Sequence, residues 1–141
     1  MFFLKDLPTR EMINGYAQTL DVVDVQKTND ALHMLRQASL LIRRLEHYFA
    51  SHGLSQTQFL VLMILHRDKS KHSHLAVEIC EKMDISKPVL STALKTMRQR
   101  GFILYCRKST DSRAKPLRIS DSGRDLLLEV LPEYFEILQS G

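Results

Sequence analysis

The stretch from Ser86 to Arg118 reads SKPVLSTALKTMRQRGFILYCRKSTDSRAKPLR, and its texture changes twice. Ser86 begins a helix that runs to Gln99 and stops at Gly101. Val89, Leu90, Ala93, Leu94 and Met97 recur along one side of it at helical spacing, while Lys87, Ser91, Thr92, Lys95 and Arg98 fall largely on the other. From Phe102 to Cys106 the residues turn β-branched and aromatic, which signals a strand. Ser109, Thr110, Asp111 and Ser112 are turn formers, and Pro116 to Ile119 reads as a short return strand. The unit is a helix followed by a β-hairpin.

The same stretch is where the charge lies. It holds nine lysines and arginines (Lys87, Lys95, Arg98, Arg100, Arg107, Lys108, Arg113, Lys115 and Arg118) against one acid, Asp111. Its net charge of +8 exceeds the +4 of the whole chain, so the remaining residues sum to −4. Positive charge focused in this way is the footprint of a polyanion binder, and nucleic acid is the commonest polyanion.

Immediately upstream, His74 to Met83 reads as a short helix with Leu75, Ile79 and Cys80 inward, joined to the next through Asp84 and Ile85. Helix, tight turn, helix and basic hairpin together make a winged helix-turn-helix. Its second helix is anchored on one face and presents short hydroxyls and long cations on the other. Ser91 and Thr92 reach base edges or phosphates, Lys87, Lys95 and Arg98 reach guanine acceptors or phosphates, and Pro88 offers apolar contact. The first-turn N–H groups after Ser86 suit a phosphate. Arg107, Lys108 and Lys115 extend the phosphate-binding charge onto the wing.

Further out, Ser55 caps a compact apolar helix from Gln56 to about His66, and Arg67 to His74 is a polar loop with room for a short strand. Thr9 caps a short helix through about Thr19. From about Gln26 to His52 there is no Gly or Pro, and Leu32, Leu35, Leu41, Ile42, Leu45 and Phe49 mark a long amphipathic helix that Gly53 ends. That helix is longer than one small domain needs, so part of its apolar stripe is expected to meet a second subunit. Ser120 or Asp121 caps a last helix rich in leucine, which Pro132 should kink or restart.

A chain of 141 residues is most simply one domain, and five glycines and four prolines are few enough to favour helices. No apolar run reaches the roughly 18 residues of a membrane span, so no membrane partner is expected. The N-terminus carries no secretion signal, and two distant cysteines make no disulfide framework, so the cytoplasm is the expected compartment. No nucleophile–base pair, Gly-rich phosphate loop or carboxylate pair marks a catalytic site, so no enzyme and no cofactor are expected. Cys80 has core spacing, and Cys106 lies on the wing strand beside Arg107 and Lys108, with a redox-sensing role as the sharper alternative to a structural one for each. His66, His72 and His74 read as a solvated basic loop, with a metal sensor as the sharper alternative; no metal site is assigned.

At these residues the chain resembles the multiple-antibiotic-resistance regulator (MarR) family of bacterial transcription factors, over essentially its whole length. The resemblance is carried by Gly53-Leu54-Ser55-Gln56-Thr57-Gln58-Phe59, by Ile85-Ser86-Lys87-Pro88 and by Arg100-Gly101-Phe102-Ile103. Most specific are Asp111-Ser112-Arg113 and the later Leu117-Arg118-Ile119-Ser120-Asp121-Ser122-Gly123, which look like the family's wing signature and helix entry. The opening Phe2-Phe3-Leu4-Lys5-Asp6-Leu7-Pro8 resembles a subset of the family. The Lys- and His-rich loop before the helix-turn-helix departs from it.

What the resemblance implies is a mainly α fold with a small β-hairpin wing and N- and C-terminal dimerisation helices. Residues 1–141 form one domain, with about 1–52 and 121–141 for dimerisation and about 55–120 as the DNA-binding lobe. It further implies a homodimer on double-stranded DNA, with Arg113 in the minor groove and Asp111 orienting the wing by pairing with a nearby arginine. The expected function is a sequence-specific transcriptional regulator, a repressor at a pseudo-palindromic operator with a small-molecule inducer. A redox- or metal-responsive regulator of the same fold is the alternative, and a winged-helix protein-interaction module a further one.

Overall fold

The computed structural model describes residues 2–68, 70–106 and 115–140. In chain order the elements are α1 (Arg10–Ala17), α2 (Val25–Ser51), α3 (Gln56–Arg67), α4 (Ala76–Glu81), α5 (Lys87–Gln99), β1 (Ile103–Tyr105), β2 (Leu117–Ile119) and α6 (Asp121–Ser140). Residue contacts divide the chain into two units, Met1–Leu45 with Ile137–Gly141, and Glu46–Glu136.

In the first unit, the Thr9 side chain caps α1 by accepting the Met12 N–H, as its residue type favours. The Phe2 N–H donates to the buried Ser39 hydroxyl at 2.9 Å, which satisfies a polar group on an otherwise apolar helix face. Arg44 donates to the Ser140 hydroxyl at 2.9 Å. Much of this unit's apolar surface is uncovered: Met34 is 70% exposed, and Leu35, Met12, Tyr16 and Val22 are exposed as well. A groove of about 640 Å³ runs along Met34, Ala38, Leu41 and Arg44.

The second unit has its core on α3. Ser55 and Gln58 form a reciprocal capping box that fixes the start of this helix. Phe59, Val61, Leu62, Ile64 and Leu65 are then all buried. Phe49 stacks on Phe59 with ring centroids 4.3 Å apart, and Tyr134 packs on Phe59 at 4.7 Å. Leu90, Leu94 and Met97 of α5, Ile103 of β1, Leu117 of β2 and Leu127 and Val130 of α6 close this core. Each such side chain contributes about 1.5–3 kcal/mol of burial. Tyr48 donates its hydroxyl to the Val130 carbonyl at 2.9 Å. Burial pushes that phenol's pKa up, reinforced by Glu133, Glu129 and Glu136.

Glycines end two helices where the backbone turns left-handed, Gly53 at φ 71° and Gly101 at φ 79°. Arg100 joins the two stops, donating to the Gly53 carbonyl at 2.6 Å while lying over the Phe102 ring. The hairpin pairs Ile103 with Ile119, Leu104 with Arg118 and Tyr105 with Leu117, antiparallel. At its base, the Ser120 N–H donates to the Phe102 carbonyl, and the Ser120 and Ser122 hydroxyls both donate to the Gly101 carbonyl. The Ser120 hydroxyl also accepts the Gly123 N–H, so Ser120 rather than Asp121 caps α6. A Cβ on Gly123 would lie 2.2 Å from the Phe102 carbonyl oxygen, so only glycine fits there.

Three expectations are corrected. The short helix expected over His74–Met83 begins at Ala76 and ends at Glu81, because His74 is taken into the sheet. Its N–H donates to the Leu117 carbonyl at 2.9 Å and its carbonyl accepts the Leu117 N–H at 2.8 Å. The Glu78 carboxylate then serves the Leu75 N–H at the start of α4 and pairs with Lys71. Nor does Pro132 restart α6, which runs unbroken through it. The carbonyl that Pro132 leaves without a donor belongs to Leu128, on the exposed side, where water can serve it. Val89 is the third case. Leu90, Leu94 and Met97 anchor the helix, and Val89, about a quarter-turn from Leu90, stands 51% exposed.

Candidate nucleic-acid interface

Helix α5 begins with three local choices that present its outer face. The Ser86 hydroxyl accepts the Val89 N–H, Lys87 and Pro88 occupy the first turn, and Pro88 fits there because it has no N–H to satisfy. Ser86, Lys87, Pro88, Ser91, Thr92 and Lys95 are all exposed. The Thr92 hydroxyl turns back to the Pro88 carbonyl at 3.0 Å, which commits its proton to the helix itself.

Arg98, one turn after Lys95, is half-buried and lies over the Tyr105 ring of β1 at 4.5 Å. Lys115, at the foot of β2, approaches the same ring at 5.3 Å. A groove of about 470 Å³ opens between α4, α5 and the hairpin, with Val77, Ser91, Lys95, Arg98, Tyr105 and Lys115 on its walls. Four of the site residues read from sequence, Ser91, Lys95, Arg98 and Lys115, thus meet in one concave surface. Arg107, Lys108, Asp111 and Arg113 lie outside the described residues.

Sequence reasoning missed Tyr105 and Val89. Tyr105 had served only as a strand signal, although an aromatic between cations on a helix and on a hairpin is the usual way to hold them. Val89 reads as core from its helical spacing to Ala93 and Met97, yet it is exposed.

The histidine loop divides. His66 and His72 line a basic cavity of about 350 Å³ with Asp68, Lys71, Arg118 and Arg124. The Ser70 hydroxyl, bonded to the Asp68 carboxylate, holds that acid below its ordinary pKa. His74, read as part of a solvated loop, is instead buried at 1% exposure. Burial lowers its pKa, and the nearby Lys71, Lys82 and Arg67 act the same way against an opposing pull from Asp68. Among the described residues no group of three or more His, Cys, Asp or Glu is placed to hold a metal. Cys80 is half-buried and not fully in the core, its sulfur 4.0 Å from the Ile85 carbonyl, and Cys106 is half-buried too. Among the described residues no helix is long and apolar enough to cross a membrane.

Residues 52–114, which take in α3, α4, α5 and β1, match the MarR family model. Over those residues the chain is similar to the MarR family. A relative of known role is the HTH-type transcriptional repressor YetL of Bacillus subtilis, 26% identical over 132 residues that cover 94% of this chain and 78% of YetL. Among solved structures, the fold is shared with the transcriptional regulator MosR of M. tuberculosis in complex with DNA, at a TM-score of 0.62 and 20% identity. That match covers 78% of this chain and 77% of MosR. Bordetella bronchiseptica BpsR, whose DNA binding is regulated by 6-hydroxynicotinic acid, matches at a TM-score of 0.63 and 20% identity, over 77% of this chain and 76% of BpsR. The fold shared with these structures is a winged helix, mainly helical with a two-stranded antiparallel hairpin.

Proposed function

We propose that the chain is a homodimeric, ligand-responsive repressor that acts in the cytoplasm on a pseudo-palindromic operator, and not an enzyme. The observation that carries the reading is the outer face of α5, where Lys87, Ser91, Thr92 and Lys95 are exposed together and Arg98 and Lys115 flank the adjoining groove. A helix of this kind enters the major groove by its N-terminal turns while neighbouring cations hold phosphates. By resemblance to the family, Arg113 takes the flanking minor groove, where negative potential is concentrated at A·T-rich sequence, and Asp111 orients it. Arg107 and Lys108 add phosphate contacts.

Residues 1–52 and 121–141 supply the dimer contact in this reading. The apolar residues that α1 and α2 leave uncovered, Met12, Tyr16, Met34 and Leu35 among them, support it. Two protomers then meet half-sites about one helical turn apart. An inducer acts by favouring a separation of the two recognition helices that the operator cannot accept. YetL is a repressor and BpsR responds to a small aromatic acid, and both support this assignment by analogy.

The test is fluorescence anisotropy on the DNA upstream of the protein's own gene, against a scrambled duplex, over a salt series. If the dimer neutralises about 6–10 phosphates, affinity falls by about 10³–10⁵ between 50 and 200 mM salt. Arg113→Ala and Lys95→Ala each weaken binding. Equal affinity for both duplexes, or no effect of either substitution, refutes the reading.

A further inference from the structure

We propose that Pro88 and Val89 form an apolar reader of thymine methyl groups, which makes the operator half-site carry an A·T pair under the first turns of α5. This rests on the DNA-binding function proposed above and specifies which bases that site takes.

Position is the first argument. In a helix-turn-helix it is the N-terminal residues of the second helix that meet base edges. Here those residues are Lys87, Pro88 and Val89, and all three are exposed. Only the lysine can hydrogen-bond through its side chain.

The second argument is the surface that surrounds them. Val89 keeps 51% of its surface exposed, whereas Leu90 beside it keeps 3% and Met97 none. One turn further on, Thr92 has given its hydroxyl proton to the Pro88 carbonyl, so toward a ligand it offers a methyl group and an acceptor but no donor. Pro88, Val89 and the Thr92 methyl make an apolar strip in a frame of Lys87, Ser91 and Lys95. A lone exposed valine is unremarkable. An apolar strip at the reading end of a basic helix is a statement about the base it meets.

The chemistry of the groove decides which base. Only thymine carries a methyl group on the major-groove edge; cytosine offers an amino donor, guanine two acceptors, and adenine an acceptor and an amino donor there. Against the strip those polar groups lose water without gaining a partner, which penalises them. Thymine alone is complementary.

Deoxyuracil differs from thymine only by the missing methyl, so it isolates the contact. Duplexes are first selected from a random library by the wild-type protein, and each thymine of the winner is then replaced singly by deoxyuracil. One or two positions in each half-site should lose about four-fold in affinity, the worth of one buried methyl group. In Val89→Ser, which replaces both methyl groups by a single hydroxyl, thymine and uracil should bind alike at one of those positions. Circular dichroism melting of the variant checks that it folds like the wild type. The proposal is overturned if no thymine is sensitive in the wild type, or if Val89→Ser keeps the full discrimination. If selection enriches no sequence at all, the DNA-binding function falls and this inference with it.

Discussion

Replacing His74 by leucine should stabilise the protein at neutral pH and flatten its pH dependence. The imidazole is buried at the bridge to Leu117, and neither ring nitrogen has a hydrogen-bond partner among the described residues. Burying such a group costs about 1–3 kcal/mol, and leucine fills a similar volume without that cost. The bridge itself uses only the backbone of residue 74, so it survives the change. A gain of about 1–2 kcal/mol raises the melting temperature of a chain this size by roughly 3–8 °C. The sign with pH follows from the lowered pKa of His74 in the folded chain. Below the ordinary value of 6.5 the unfolded imidazole binds a proton that the folded one refuses, so stability present above that pH is lost as pH falls. At pH 5.5 the loss reaches at most about 1.4 kcal/mol, the energy of one proton over one pH unit. Urea denaturation of both proteins at pH 8 and pH 5.5 measures it, the wild-type minus variant difference cancelling the other five histidines. A His74→Leu protein less stable than wild type at pH 8, with a parallel pH profile, refutes the account.

Two further changes probe the interface and its support. Tyr105→Leu should weaken operator binding several-fold while Tyr105→Phe leaves it near wild type, because the ring face and not the hydroxyl holds Arg98 and Lys115. In a protein already carrying Arg98→Ala and Lys115→Ala, Tyr105→Leu should cost nothing more; a persisting loss in that double-mutant cycle means the tyrosine is merely structural. Gly123→Ala should destabilise by about 1–3 kcal/mol, since its Cβ meets a backbone oxygen that no rotamer change can move aside. A urea midpoint equal to wild type contradicts that.

What the sequence disclosed was whatever depends on neighbours along the chain. The caps at Thr9, Ser55 and Ser86 and the stops at Gly53 and Gly101 are local chemistry, and the helix boundaries follow them within a residue or two. The basic face of α5 was legible because helical periodicity sorts Lys87, Ser91 and Lys95 to one side. Partners distant in sequence were hidden. His74 reads as polar loop until Leu117, far along the chain, pairs with it. Val89 reads as core because periodicity gives a direction and not the width of the neighbour that covers it. Tyr105 acquires its role only when hairpin and helix bring two cations to one ring. Pro132 misled for a related reason, since a helix tolerates proline wherever water can reach the orphaned carbonyl.

The joint where Gly101 and Phe102 meet Ser120, Ser122 and Gly123 has a mechanical meaning. Four hydrogen bonds are not needed to stop a helix; Gly101 alone would do that. Here the last turn of α5 and the first turn of α6 share one set of carbonyls and hydroxyls, with a backbone contact too tight for a methyl group. Such a joint ties the start of α6 to the residues that follow α5. A displacement applied to the start of α6 is therefore expected to reach the end of α5 as well, and the change of attitude it would give that helix is one that the DNA-binding reading proposed above could use.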